Sequence, residues 1–262
     1  MSRPRISIRG LSKRFGEHVV LQDLNLDIMP GESMVVIGQS GIGKSVLIKC
    51  ILGLLKPDAG EIFVDGENWL EFSEDEQLAH MQRIGMLFQG SALFDSLPVW
   101  KNVAFALLQR GTDESEARAR AAEVLAWVGL PGIEEKMPVE LSGGMMKRVG
   151  FARAICHKPD MIFFDEPTTG IDPIMADVIN RLIRRLHREF KTTLLSITHD
   201  LTSAAKIGDT IAMLYQGSIH RQITPEQLHS DQDPVLRQFV EGRAEGPIQQ
   251  EGNEEIMRDT QT

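Results

Sequence analysis

The chain has 262 residues, of which 42% are hydrophobic and 25% charged, a size and balance that suit a globular α/β domain with a real core. A net charge of −9 argues against a dedicated nucleic-acid binder, which would carry a basic face or stripe, and no run of about 18 apolar residues exists to span a membrane. Met1-Ser2-Arg3-Pro4-Arg5 has no apolar stretch behind it and predicts no secretory signal, while Cys50 and Cys156 lack metal spacing and read as buried thiols.

Ile6-Ser7-Ile8 alternates and breaks at Gly10, which predicts a first strand; His18–Leu21 and Leu24–Ile28 predict two more. Between them Phe15 stands just before Gly16, where a ring could stack on a base; an ordinary strand-edge aromatic explains it equally. Pro30-Gly31 turns the chain into Met34-Val35-Val36-Ile37, a β-branched run expected to be a buried parallel strand. Gly38-Gln39-Ser40-Gly41-Ile42-Gly43-Lys44-Ser45 follows, and then Val46 to Leu52 reads as a helix with Gly53 as its C-cap. Strand, G-x-x-x-x-G-K-S and helix are the context of a phosphate-binding loop. Its glycines let successive N–H groups face phosphate oxygens, its lysine reaches the β- and γ-phosphates, and the Ser45 hydroxyl can ligate Mg2+. A nucleoside triphosphate is the expected ligand.

Lys56 to Gly66 predicts turn, strand, turn, and Ser73 to His80 a short helix with Ser73 and Glu76 as a capping box. Ile84 to Phe88 predicts a buried strand ending at Gln89. From Trp100 to about Lys158 the chain reads as mostly helical, with an apolar stripe over Glu116 to Val128 and a further helix from Ser142-Gly143-Gly144 to about Cys156. Met161 to Asp165, Thr193 to Ile197 and Thr210 to Leu214 are expected strands. Ala176 to Phe190 is an expected helix with Ile179, Leu182, Ile183, Leu186 and Phe190 on one face. Tyr215 to Ser218 predicts a hairpin turn, and short helices are expected near Pro225–His229 and Pro234–Val240. There is no internal repeat and no second phosphate loop.

Two further motifs bear on chemistry. Asp165 ends an apolar strand, where an acid can hold Mg2+ in phosphate-loop enzymes, and the adjoining Glu166 can act as base or orient the attacking water. Leu141-Ser142-Gly143-Gly144-Met145 puts a serine and exposed N–H groups at a helix start; locally, a simple N-cap accounts for it just as well.

Together these residues resemble an ATP-binding subunit of an ABC transporter, from about Ile6 to Phe239. The resemblance assigns Gly38 to Ser45 as Walker A, Gln89 as the Q-loop, Leu141 to Gly144 as the signature, Asp165 as the end of Walker B with Glu166 beside it, Gly170-Ile171-Asp172 as the D-loop and His199 as the switch histidine. It implies a RecA-like mixed sheet with flanking helices, an antiparallel β subdomain and a helical subdomain at about 90–158, in an ATPase domain spanning 1–240. A polar tail, 241–262, is expected to be disordered alone. The signature ends in Met145 where the family usually has Gln, and Phe15 stands where Tyr is common; neither change removes a phosphate ligand.

The family arrangement implies ATP bound between two head-to-tail copies. Lys44, Ser45, Gln89, Asp165, Glu166 and His199 then act in cis, and Ser142, Gly144 and Asp172 in trans, with Gly143 a further nucleotide-binding residue of the signature and Ser45, Gln89 and Asp165 around Mg2+. The apolar stretch Ala92 to Trp100 reads either as core of the helical subdomain or as a groove for a membrane permease. Met86 to Leu97, Leu-Ser-Gly-Gly-Met, Asp233 to Gly242 and Gly246-Pro247 are similar to the Mla-type, MCE-linked phospholipid transport and toluene-tolerance ATPases. That resemblance implies glycerophospholipid cargo, outer-membrane lipid asymmetry, a permease, an MCE-domain lipid-binding protein, a STAS-domain regulator in some systems, and a place on the cytoplasmic side of a bacterial inner membrane. It also implies that the C-terminal extension around Phe239 can reach a neighbouring ATPase. An importer of another lipid, sterol or solute is the alternative; a soluble ABC ATPase acting on DNA or ribosomes usually has two cassettes or a coiled-coil insertion, and this chain has neither.

Overall fold

The computed structural model describes residues 3–249. Its centre is β3 (Ser33–Ile37), every residue of which is buried. Alternation along this strand divides the interior in two. Met34 and Val36 face a core shared with Leu47, Ile51 and Trp69, whereas Val35 and Ile37 face one shared with Val149, Phe151 and Phe164. β3 pairs in parallel with β8 (Thr193–Thr198) on one side and β9 (Thr210–Tyr215) on the other. Beyond β8 lie β7 (Met161–Asp165) and β6 (Ile84–Leu87), also parallel; the antiparallel β10 (Ser218–Ile223) closes the far edge after the hairpin at Gln216-Gly217.

A second sheet, all antiparallel, runs β2-β1-β4-β5, from β1 (Ile6–Phe15), β2 (His18–Ile28), β4 (Ala59–Val64) and β5 (Glu67–Asn68). Here the sequence expectation is corrected. Gly10 does not end β1, and the two segments expected over residues 18–28 are one strand. Gly10 and Asp23 take left-handed φ angles of 59° and 46° beside register shifts, so the ribbon bends without terminating.

The phosphate-loop helix α1 (Lys44–Ile51) is followed by Gly53 at φ 70°, and α2 (Glu74–Met81) carries the expected capping box between Ser73 and Glu76. The helical region comprises α3 (Val99–Val103), α4 (Phe105–Gln109), α5 (Glu114–Trp127) and α6 (Gly143–Cys156). α7 (Pro173–Phe190) begins three residues before the expected Ala176, because Asp172 caps it and Pro173 suits its first turn. Its apolar stripe stops at Leu186; Phe190, expected on that stripe, is 56% exposed. α8 (Leu201–Ile207), capped by Asp200, has too little periodicity to be read from sequence. α9 (Pro234–Glu241) follows a 3-10 turn at Pro225–Gln227.

After α9 the chain folds back on itself. The buried Gln238 amide accepts from Ile248 N at 2.6 Å and donates to Ile248 O at 3.0 Å and Arg243 O at 3.2 Å, while Tyr215 Oη donates to Pro247 O at 3.0 Å. The first residues of the expected polar tail therefore pack on the body, with Ile248 buried; residues 250–262 lie outside the described residues. No helix among the described residues is long and apolar enough to cross a membrane, and both cysteines are buried free thiols.

Just past the end of α6, His157 reaches β6. Its Nε2–H donates to Ile84 O at 3.2 Å, and Nδ1 is buried without a partner. Burial, aided by nearby Arg110, pushes its pKa from 6.5 down to about 4. The unfolded chain therefore takes up this proton first, and the contribution is complete above pH 6.5 and lost as pH falls toward 4. Discounted for the ring's partial exposure, the loss is about 1–3 kcal/mol. Denaturant titrations between pH 7 and 4 should show a shallower pH dependence for His157→Gln than for the unaltered chain; equal slopes would refute this.

Candidate active site

The site forms where three parallel strands end together. Ile37 pairs with Thr198 and Asp165 with Ile197, so the loops after β3, β7 and β8 leave the sheet at one level. The first is Gly38 to Ser45. A Cβ on Gly43, at φ 111°, would lie 2.7 Å from Val20 Cγ1, and one on Gly38 would lie 2.7 Å from Leu214 O, so neither position admits a side chain without displacing a neighbour. Ile42 packs against the core that holds Leu47, Ile51 and Trp69, while Ser40, Gly41, Gly43, Lys44 and Ser45 line a cavity of about 310 Å3 together with Gln89, Glu166, Thr169 and His199. Gln39 lines an adjacent cleft that Ser40 and His199 share.

Lys44 is 5% exposed, and its Nζ donates to Gly38 O at 2.7 Å and Gln39 O at 2.9 Å. Burial lowers its pKa, and Glu166, 3.7 Å away, opposes that shift. Ser45 Oγ donates to Asp165 Oδ1 at 3.3 Å; burial raises the Asp165 pKa against this hydrogen bond. Two hard oxygen donors at this spacing suit Mg2+, which keeps most of its shell as water and phosphate oxygen.

Glu166 is the most heavily held carboxylate of the site. Its backbone takes φ 49°, a left-handed conformation unfavourable for a side-chain-bearing residue, and its N–H donates to Ile197 O at 2.9 Å. Oε2 accepts from Thr169 Oγ1 at 3.0 Å and Thr198 Oγ1 at 3.2 Å and lies 3.0 Å from His199 Nδ1. Thr169 and Thr198 were not singled out from sequence; their only signal is adjacency to the acidic pair and to His199. Asp200 supports the loop from behind, accepting from Ser203 Oγ at 2.6 Å and Thr168 Oγ1 at 3.4 Å. Burial works against the Asp200 charge, yet these bonds and those from backbone N–H groups hold its pKa below the usual value.

The remaining residues of the expected site lie elsewhere. Ser142 caps α6, accepting from Met145 N at 3.3 Å; a Cβ on Gly143 would meet nothing, and one on Gly144 would touch Met175 Cε at 3.0 Å. Asp172 accepts from Ile174 N and Met175 N, both at 3.0 Å. Ser142, Gly143, Gly144 and Asp172 are absent from the lining of the 310 Å3 cavity. Phe15, at the end of β1, is 50% exposed with Lys13 Nζ 5.6 Å from its ring centre, and it too stands outside the cavity wall.

The family model described as ABC transporter matches residues 21–169. The intermembrane phospholipid transport system ATP-binding protein MlaF of Haemophilus influenzae is 38% identical over 249 residues, covering 95% of this chain and 94% of that protein. The probable ribonucleotide transport ATP-binding protein mkl of Mycobacterium leprae is 40% identical over 244 residues, covering 93% of this chain and 70% of that protein. An ATP-binding cassette solved as a dimer in a post-hydrolysis state with ADP and Pi superposes with a TM-score of 0.77 at 30% identity, over 84% of this chain and 98% of that one. With a phosphate loop, a held carboxylate beside it and these relatives, the chain belongs to the ABC transporter family as an ATP-binding, ATP-hydrolysing subunit.

Proposed function

We propose that this subunit drives an ABC transporter that moves phospholipid between the inner and outer membranes of a bacterial envelope and so maintains lipid asymmetry. The observation that carries the cargo assignment is the end-to-end match to the phospholipid transport ATPase MlaF, 95% of this chain against 94% of that protein.

In this reading the backbone N–H groups of Gly38 to Ser45 and the Lys44 ammonium hold the β- and γ-phosphates, and Phe15 stacks on the base. Ser45, Asp165 and, through its exposed side chain, Gln89 hold Mg2+, which when bound neutralises developing phosphate charge. Glu166 accepts the proton of the attacking water, kept in place by Thr169 and Thr198, with His199 beside it and the γ-phosphate. The cavity is then half a site. A second copy, head to tail, supplies Ser142, Gly143, Gly144 and Asp172 and excludes water from the γ-phosphate. That these four lie outside the cavity wall of their own chain supports this division.

The partner face is the stretch after Gln89. Asn102 donates to Phe94 O at 3.1 Å and Leu97 O at 2.9 Å and accepts from Phe94 N at 2.7 Å, holding a loop on which Phe94 is 42% exposed and packs at 4.7 Å on Phe105. An apolar loop so braced suits a helix of a membrane permease, which would keep the subunit at the cytoplasmic face of the inner membrane. An MCE-domain lipid carrier and a STAS-domain regulator complete the proposed assembly. A second reading, import of another solute or lipid, is favoured by the 40% identity to the relative named for ribonucleotide transport.

Glu166→Gln should retain ATP binding within about twofold while kcat falls at least about 100-fold. Lys44→Ala should weaken ATP binding at least about tenfold by calorimetry; full turnover in the first variant or full affinity in the second would overturn the site. Charged replacements at Phe94 and Leu97 should abolish co-purification of the permease from detergent without changing ATP affinity. Mass spectrometry of the intact purified complex should find phospholipid enriched; ribonucleotide in its place would favour the second reading.

A further inference from the structure

The helix that begins at Ser142 does more than present the signature. Three residues of α6 at helical spacing, Lys147, Gly150 and Arg153, turn one stripe toward the segment that follows β6. Lys147, 5% exposed, donates from Nζ to the carbonyl of Gln89 and lies 3.5 Å from the carbonyl of Glu166. Arg153 donates from one guanidinium nitrogen to Ser91 O at 2.5 Å and from another to Ala92 O at 2.6 Å. Between them, a Cβ on Gly150 would stand 3.2 Å from Ser91 Cβ and 3.0 Å from Leu87 Cδ1, so the glycine permits the close approach that both bonds require.

The segment held in this way is strained. Ser91 and Ala92 are consecutive side-chain-bearing residues at φ 61° and 47°, a left-handed pair that persists only when its surroundings impose it. Ser91 is 3% exposed, and the bonds from Arg153 reach the two carbonyls that this geometry turns toward α6. Burial lowers the Lys147 pKa, and the charges of Asp165 and Glu166 oppose that shift.

We propose that Lys147 is a positioning residue for ATP hydrolysis, tying the backbone of Gln89 to that of Glu166, with Arg153 clamping the next two residues to the same helix. It rests on the assignment of Gln89 and Glu166 given above. Neither basic side chain touches nucleotide in this scheme. The stripe joins the loop bearing Gln89 to the helix bearing Ser142, so a displacement of Gln89 at one γ-phosphate carries the signature that faces the other. Glu166, through its carbonyl, sets the distance of that loop from the reacting water.

Two variants of the full chain separate this role from a general loss of packing. Lys147→Met keeps the apolar stem and removes every donor; Lys147→Gln keeps an N–H donor. With Lys147→Met, amide hydrogen exchange over residues 88–93 should quicken at least about tenfold and kcat should fall about tenfold, with ATP affinity and unfolding midpoint unchanged. Lys147→Gln should recover most of both effects. Unaltered exchange and kcat in Lys147→Met would overturn the proposal, as would equal impairment in the two variants or a loss shared with ATP affinity. The exchange readout does not depend on chemistry at Glu166. Should Glu166→Gln hydrolyse ATP normally, the site assignment fails on its own, and the exchange result still decides whether Lys147 holds the loop.

Discussion

The parallel placement of β8 between β3 and β7 is the constraint on which the rest depends. Because Ile37 pairs with Thr198 and Asp165 with Ile197, three chain segments far apart in sequence leave the sheet at the same level. The phosphate loop, the acidic pair and the Thr198-His199 corner meet there without any of them needing to extend far from the core. Parallel strands covered on both faces are largely apolar, and all six residues of β8 are buried, Thr193, Ser196 and Thr198 included. The charged groups gather at the strand ends, where the helix that follows β3 begins and where Lys44 and Ser45 line the cavity.

Confining charge to a buried rim has an electrostatic consequence. Burial lowers the pKa of Lys44 and raises that of Asp165, and each shift is opposed by an opposite charge or hydrogen bond within the site. Glu166 sits among donors from Thr169 and Thr198 at 3.0 and 3.2 Å, with Lys44 on its other oxygen at 3.7 Å. A carboxylate held by three groups from three segments loses rotational freedom, the condition under which a side chain is aimed and not merely present. Its left-handed backbone is the local cost of turning that carboxylate toward the phosphate loop.

α6 carries polar contacts that join the helical region to this rim. Phe151 stacks on Phe164 of β7 with ring centres 5.5 Å apart, anchoring the helix to the sheet, while the Lys147 and Arg153 side chains reach the loop after β6. One helix thus carries an apolar anchor, a polar grip on the Gln89 loop and the exposed Ser142-Gly143 start. Contacts of different kinds on one rigid element are what allow a change at one end to be felt at the other.

The local parts are legible in the order of the amino acids. The phosphate loop follows from glycines that only certain backbone angles and close approaches require, as at Gly43 against Val20; the Ser73 capping box and most strands follow from period and caps. Where one signal was asked to do two jobs it misled: Gly10 read as a strand end because a glycine marks bends and breaks alike, and only pairing with β2 and β4 tells them apart. Short elements such as α3, α4 and α8 carry too few turns for periodicity to emerge. Tertiary structure alone decided which residues meet. Thr169 and Thr198 are ordinary threonines until strand register brings both to one oxygen of Glu166, and Lys147 is one more helix cation until Gly150 lets the loop approach. Spacing along a chain reports what each residue can do; the distances that put those capacities to use come from packing.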